Sequence, residues 1–140
     1  MKRVMALDVG FKRIGVALSD PLRLTAYPYK IIHRKSNRET FEELLRIIDE
    51  KDVDTILVGV PLSLEGRDTK IGEKIKKFAT KFQQFLKESG RQVSFVFVDE
   101  SYSTLEATNL CRELGKKREE VDDIAAAIFL RDWLAFKGSP

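Results

Sequence analysis

Three acidic residues stand at points where an element of secondary structure should begin or end. Asp8 closes an apolar run, Glu100 follows a second apolar run, and Asp122 opens a helix-like run rich in alanine. Carboxylates are suitable ligands for Mg²⁺ or Mn²⁺, because hard cations prefer oxygen. Two such ions about 4 Å apart can activate a water molecule and stabilise the leaving oxygen in phosphodiester cleavage. If the three acids converge, they predict a two-metal site for that reaction.

Each acid also has a purely structural interpretation. Asp8 could end a strand and cap the turn that follows it. Glu100 could pair with an arginine, and its neighbour Asp99 is a competitor that falls on the opposite face of the strand. An acid in the first turn of a helix is favoured by the helix dipole. This suits both Asp122 and Asp123, and spacing alone does not choose between them.

Composition bounds the class of protein. The chain has 140 residues, of which 43% are hydrophobic and 34% charged, which predicts one globular domain over residues 1–140. It contains no apolar stretch of about 18 residues, so we expect a soluble, cytoplasmic protein without a membrane span. The single cysteine, Cys111, is expected to be buried and inert, and the single histidine, His33, to be solvated. No histidine or cysteine cluster offers a zinc site.

The basic residues favour a polyanionic partner. The formal net charge is only +3, but the cations are clustered, as at Lys12-Arg13 and at Lys116-Lys117-Arg118. Three acids set aside for metal ions would leave the remaining surface more positive than the total suggests. This pattern suits a nucleic acid.

The predicted elements alternate in a way that indicates an α/β fold. A strand hairpin and a third strand containing Pro28 come first, and strands then alternate with helices. This order predicts a mixed five-stranded sheet, an antiparallel meander plus parallel strands, with helices on both faces. The predicted strands are 3–9, 13–19, 25–33, 55–60 and 93–98; the predicted helices are 37–51, 69–88, one from Ser103 to Gly115, and 121–136. The apolar stripe predicted for the second long helix is Ile71, Ile75, Phe78, Phe82 and Phe85.

Four segments resemble the motifs of a known family. The first is residues 6–20, Ala-Leu-Asp-Val-Gly-Phe-Lys-Arg-Ile-Gly-Val-Ala-Leu-Ser-Asp. The others are Val58-Gly59-Val60-Pro61-Leu62 with Gly66, then Val98-Asp99-Glu100, and finally Asp122-Asp123-Ile124-Ala125-Ala126. In this order they resemble the YqgF family, also called RuvX-like, of the RNase H-like superfamily. The resemblance covers nearly the whole chain.

The resemblance implies an RNase H-like fold and a nuclease that processes the ends of pre-16S ribosomal RNA. Asp8, Glu100 and Asp122 would be its catalytic acids and its ligands for Mg²⁺ or Mn²⁺, with two ions expected. The match therefore selects Asp122 over Asp123. Lys12 and Arg13 would lie beside the phosphates of the nucleic acid.

One position departs from the family pattern. An arginine usually follows the Asp-Glu pair, and here that position is Ser101. Either another cation takes its role, with Arg67 and Lys70 as candidates on the central loop and the helix that follows, or the substrate preference differs.

Three other functions remain open from the sequence. The family is related to the RuvC-type Holliday-junction resolvases, so branched DNA is an alternative substrate. An Asp-x-Gly hairpin also begins the phosphate-binding segment of actin-like ATPases, although 140 residues are too few for both of their domains. A nucleic-acid-binding module without turnover is the third. We expect a monomer or a weak homodimer.

Overall fold

A computed structural model describes residues 2–62, 69–99 and 121–137. The described part contains five strands and three helices. The predicted helix from Ser103 to Gly115 and Cys111 lie outside it. In chain order the elements are β1 (Arg3–Val9), β2 (Arg13–Ser19), β3 (Ala26–His33), α1 (Asn37–Lys51), β4 (Val53–Val60), α2 (Lys70–Glu88), β5 (Ser94–Asp99) and α3 (Val121–Lys137).

The five strands form one mixed sheet in the order β3-β2-β1-β4-β5. The hairpin partners β1 and β2, and then β2 and β3, pair antiparallel. Strand β4 pairs parallel with β1, and β5 pairs parallel with β4. The predicted meander joined to parallel strands is therefore confirmed. Strand β1 is central, and the carboxyl ends of β1, β4 and β5 meet at one edge of the sheet.

Strand β3, which contains Pro28, lies at the sheet edge. Proline has no N–H to donate to a ladder, so an edge position or a bulge suits it. Both are present, because the pairing register between β2 and β3 shifts between Val16 and Ala17, opposite Pro28. His33 ends this strand and is exposed, as predicted.

Helices α1 and α2 cover one face of the sheet. Ser36 caps α1 by accepting a hydrogen bond from the backbone N–H of Glu39, and Thr69 caps α2 in the same way from Gly72. The aromatic ring of Phe41 packs 5.2 Å from the rings of both Phe78 and Phe82, centroid to centroid. These contacts join the two helices over a large apolar core.

Helix α3 covers the opposite face. Its small residues Ala126 and Ala127 pack against Val4, Ala6 and other apolar residues of the central strands. Small side chains let the helix axis come close to the sheet. The prediction of helices on both faces is confirmed.

One core prediction is wrong. Ile71 was expected in the apolar stripe of α2, but 64% of its surface is exposed, whereas Ile75, Phe78 and Phe82 are buried as predicted. Ile71 lies in the first turn of α2 and lines a surface cavity with the exposed Phe11 instead of packing in the core. Among the described residues, no helix combines the length and apolarity that crossing a membrane requires.

Candidate active site at the carboxyl edge of the sheet

Asp8 is the next-to-last residue of the central strand β1 and is half-buried. Side chains alternate along a strand, so Asp8 faces the same way as Val4 and Ala6, toward α3. Its partner on β2 is Gly15, which has no side chain to cover the carboxylate from that strand. Asp8 therefore stands at the carboxyl edge of the sheet on the α3 face.

A backbone hydrogen bond closes the turn after Asp8. The N–H of Gly10 donates to the carbonyl oxygen of Arg13 at 2.8 Å. A Cβ at Gly10 would stand 2.7 Å from that same oxygen, closer than real Cβ atoms approach a neighbour. Only glycine fits this position. The Gly10 amide therefore has a backbone partner within the turn.

Arg34, which directly follows the last residue of β3, contacts the same turn. Its backbone N–H donates to the carbonyl of Lys12 at 2.8 Å, and its Nη1 donates to the carbonyl of Gly10 at 2.8 Å. The guanidinium also lies over the ring of Phe78, with Cζ 4.6 Å from the centroid. Burial lowers the pKa of Arg34 below its usual value, but a guanidinium stays charged in proteins.

The first turn of α2 packs tightly against the end of β4. A Cβ at Gly72 would lie 3.0 Å from Cγ1 of Val60 and 3.1 Å from the carbonyl oxygen of Pro61. The hydroxyl of Thr69 donates to that carbonyl at 3.0 Å. The two ends of the central loop are thus fastened together, while residues 63–68, which include the predicted site residue Arg67, lie outside the described part of the chain.

Strand β5 brings the chain to the same edge. Val96 and Val98 pack toward the α3 face, whereas Phe95 packs with the α1 and α2 core. Asp99 has the parity of Phe95 and points away from α3, as predicted. Glu100 follows directly and lies outside the described residues.

Helix α3 carries the third acid near its start. Asp122 belongs to the helix, but its side chain lies outside what the structure describes; Asp123 is half-buried. In the portion of the chain that is described, three or more His, Cys, Asp or Glu side chains do not cluster to form a metal site. Two of the three predicted ligands lie outside that portion, so the metal site and the roles of the three acids stay predictions.

Three of the four cations predicted to bind nucleic acid lie in the described part of the chain, on two segments. Lys12 is exposed in the turn between β1 and β2, and Arg13 opens β2. Lys70 is exposed at the first position of α2. The neighbours of Lys12 and Lys70 in the chain, Phe11 and Ile71, line one cavity, so the fold brings these two lysines into one region.

That cavity was not foreseen from the sequence. It has a volume of about 510 Å³. The one local sign of the cavity in the sequence is Phe11, an aromatic residue next to the glycine of a turn. The other lining residues come from distant segments, which only the fold brings together. Its lining residues are Val9, Gly10, Phe11, Arg34, Ile71, Lys74, Ile75 and Phe78.

Comparison with known proteins decides the family. A family model described as RuvX, Holliday junction resolvase, matches residues 2–136. The chain belongs to the RuvX family. Among curated relatives, a "Putative pre-16S rRNA nuclease" of Maridesulfovibrio salexigens is 36% identical over 137 residues, covering 95% of this chain and 98% of the relative. A Fusobacterium nucleatum protein of the same name is 37% identical over 142 residues, covering 98% and 99%. The assignment made from the motifs is confirmed, and with it, at the level of the family, the prediction of a hydrolytic nuclease.

Solved structures give the same fold. Thermus thermophilus RuvC, in a complex with a Holliday junction substrate, superposes with a TM-score of 0.57 at 14% identity, covering 99% of this chain and 97% of the other. A fowlpox virus resolvase in a complex with Holliday junction DNA gives a TM-score of 0.56 at 12% identity, covering 98% and 99%. At these identities the likeness establishes the fold, and the predicted RNase H-like class is confirmed.

Proposed function

We propose that this RuvX-family protein is a metal-dependent nuclease that cleaves structured RNA, with the ends of pre-16S ribosomal RNA as its substrate. The observation that carries the proposal is the position of Asp8. A half-buried carboxylate stands at the carboxyl end of the central strand, opposite Gly15 of β2. Ligand sites of open α/β sheets lie at this edge.

Glu100 and Asp122 complete the proposed catalytic set. Val96 and Val98, which precede Glu100 on β5, pack toward α3, and this supports Glu100 rather than Asp99 as the second carboxylate. The packing of Ala126 and Ala127 on β1 supports an acid of α3 as the third. Asp122 rather than Asp123 is the choice that the family motif gives.

These three carboxylates suit Mg²⁺ or Mn²⁺, because the donors are oxygen atoms carrying negative charge. Two bound ions would supply an activated water and charge stabilisation for the leaving oxygen. The protein would hold the scissile phosphate beside the carboxylates through Lys12 and Arg13. Arg67 and Lys70 are proposed to take the role of the arginine that the family usually has at the position of Ser101.

The RNA assignment is drawn from the names of the curated relatives, and a four-way DNA junction is the alternative suggested by the family description. An RNA-processing role places the protein in the cytoplasm. A nuclease that trims RNA ends can act as a monomer, whereas a junction resolvase needs paired sites. Sedimentation of the free protein and of its complexes with each nucleic acid therefore bears on the choice of substrate.

The catalytic proposal is tested with Asp8→Asn, which keeps the size of the side chain and removes its charge. Precursor-end RNA and a four-way DNA junction are incubated with Mg²⁺ or Mn²⁺. We expect the wild type to cleave the RNA and Asp8→Asn to reduce cleavage to the level of the buffer blank. Asp132→Asn, an exposed aspartate of α3, is the matched control and should cleave normally.

A second readout is independent of turnover. Titration calorimetry with Mn²⁺ should show binding to the wild type and to Asp132→Asn, and a clear loss of affinity in Asp8→Asn. Undiminished cleavage by Asp8→Asn, or cleavage in excess chelator, would refute the mechanism. Cleavage of the junction but not of the RNA would show that DNA is the substrate, and the proposed role of the three carboxylates would stand.

A further inference from the structure

An apolar cavity with a cationic rim opens beside Asp8, on the other face of the sheet. Phe11 is 87% exposed and Ile71 64% exposed, and both line it. Exposed large apolar side chains that share one cavity indicate a binding surface rather than packing. The volume of about 510 Å³ is that of a site for a small ligand group.

The charges around the cavity select the kind of ligand. Arg34 and Lys74 line it together with the apolar residues, and the described lining includes no acid. Arg34 is held in place by its hydrogen bond to the Gly10 carbonyl and lies over the ring of Phe78. An exposed aromatic ring beside cations suits a flat heterocycle attached to a phosphate. A purely apolar partner would bring no counter-charge to these two cations.

The cavity is continuous with the edge that carries Asp8. Val9 lines it, and Val9 is the residue directly after Asp8 with its side chain on the opposite face. A nucleic acid strand that crosses the turn at residues 10–12 would place a phosphate at Asp8 and a neighbouring base in the cavity. Lys12 is exposed on the turn between the two.

We propose that the cavity binds one unstacked base of a single-stranded nucleotide adjacent to the scissile phosphate. Phe11 stacks on the base, and Lys74 contacts the phosphate of that nucleotide. This inference rests on the proposed nuclease function and extends it, because it requires a single-stranded segment beside the cleavage site. A fully paired duplex has no free base for the cavity.

The test measures binding without cleavage. A fluorescein-labelled single-stranded RNA decamer is titrated in chelator by anisotropy, and a parallel set carries 2-aminopurine at successive positions. We expect Phe11→Ala to weaken binding by about fivefold to about a hundredfold, the range for loss of one base–aromatic stack. One 2-aminopurine position should be quenched by the wild type and not by Phe11→Ala. Phe11→Trp should restore both signals.

Matched variants separate stacking from charge and from general damage. Lys74→Ala should weaken binding and reduce its dependence on salt, because one phosphate contact is lost. Lys87→Ala, an exposed lysine in the last turn of the same helix, and Phe136→Ala, an exposed aromatic residue of α3, should bind as the wild type. An RNA with an abasic site at the quenched position should bind wild type and Phe11→Ala equally.

The two proposals can fail separately. Cleavage by the wild type with unchanged binding by Phe11→Ala, or with no quenched position, overturns the base cavity and leaves the nuclease. Binding with quenching but no cleavage overturns the nuclease and leaves the base cavity. No binding of any RNA or DNA strand overturns both.

Discussion

The backbone N–H of Gly10 donates to the carbonyl oxygen of Arg13 at 2.8 Å, and this bond closes the turn that follows Asp8. The same oxygen lies 2.7 Å from where a Cβ of residue 10 would be. This position therefore requires glycine, and the hydrogen bond sets the path of the chain after Asp8.

Gly10→Ala should damage both stability and activity. The new methyl group collides with backbone, which cannot rotate away as a side chain can, so we expect unfolding free energy to fall by about 1–3 kcal/mol. RNA cleavage should fall more than the folded fraction does, because the turn that positions Asp8 must shift. Urea denaturation and initial cleavage rates measure the two effects.

Gly90→Ala is the matched control for that substitution. Gly90 has a φ of 75° but open space around a would-be Cβ. Alanine there should cost about 1–2 kcal/mol through backbone strain alone. It lies between α2 and β5, at the opposite end of β5 from Asp99, so the folded enzyme should cleave normally. Equal losses of activity in the two variants would show that Gly10 acts through stability only.

The sequence predicted the local elements well. The bounds of β1, β2 and α1 agree with the prediction to the residue, because two-residue alternation and the Ser36 cap are signals contained within each segment. Strand β4 begins at Val53 rather than at residue 55, and β5 runs from Ser94 to Asp99 rather than over 93–98. The ends of these strands depend on pairing with distant neighbours, which local patterns do not contain.

Other features depend on contacts between distant segments, and the sequence did not reveal them. Ile71 lines a cavity with the distant residue Phe11. The hydrogen bond from Arg34 to the Gly10 carbonyl joins residues 24 apart in the chain. The family motif ends with Ser19-Asp20, which looks like another chemical pair. Ser19 instead is fully buried and accepts a hydrogen bond from the backbone N–H of Val4, at the other end of β1 from Asp8.

Asp20 has a structural role that should depend on pH. Its Oδ1 accepts hydrogen bonds from the backbone N–H groups of Thr25 at 2.8 Å and Leu24 at 2.7 Å. The hydrogen bond from Thr25 is the main reason that the pKa of Asp20 lies below its usual 3.8; desolvation opposes it, and the bond from Leu24 adds to the lowering. Because the folded pKa is below the unfolded one, the stabilisation is complete above the unfolded pKa and is lost as pH falls through the folded value.

Asp20→Asn should therefore lower Tm by a constant amount from about pH 5 to about pH 8, and the difference from wild type should shrink in more acidic buffers. Cleavage at neutral pH should be unchanged in the folded variant, because the loop lies at the far end of the hairpin from Asp8. Scanning calorimetry across the pH series measures the difference. A gap that widens with acid would contradict the assigned hydrogen bonds.

Arg34→Lys should separate the shape of this cation from its charge. Lysine keeps the charge but lacks the planar group that lies over Phe78 and reaches the Gly10 carbonyl. We expect unfolding free energy to fall by about 1 kcal/mol, the usual value of one such hydrogen bond. Arg38→Lys is the control, since Arg38 pairs with Glu42 on the exposed surface of α1 and should change stability by less than about 0.5 kcal/mol.

The same two variants show whether Arg34 acts by holding the turn in place or only by its positive charge. If Arg34 acts by holding the turn, amide hydrogen exchange at residues 10–13 should accelerate in Arg34→Lys and not in Arg38→Lys, and RNA cleavage should slow although the net charge is unchanged. Unaltered exchange and unaltered cleavage would show that charge at position 34 is sufficient. In that event, the backbone hydrogen bonds from Gly10 to Arg13 and from Arg34 to Lys12 would be sufficient to hold the turn.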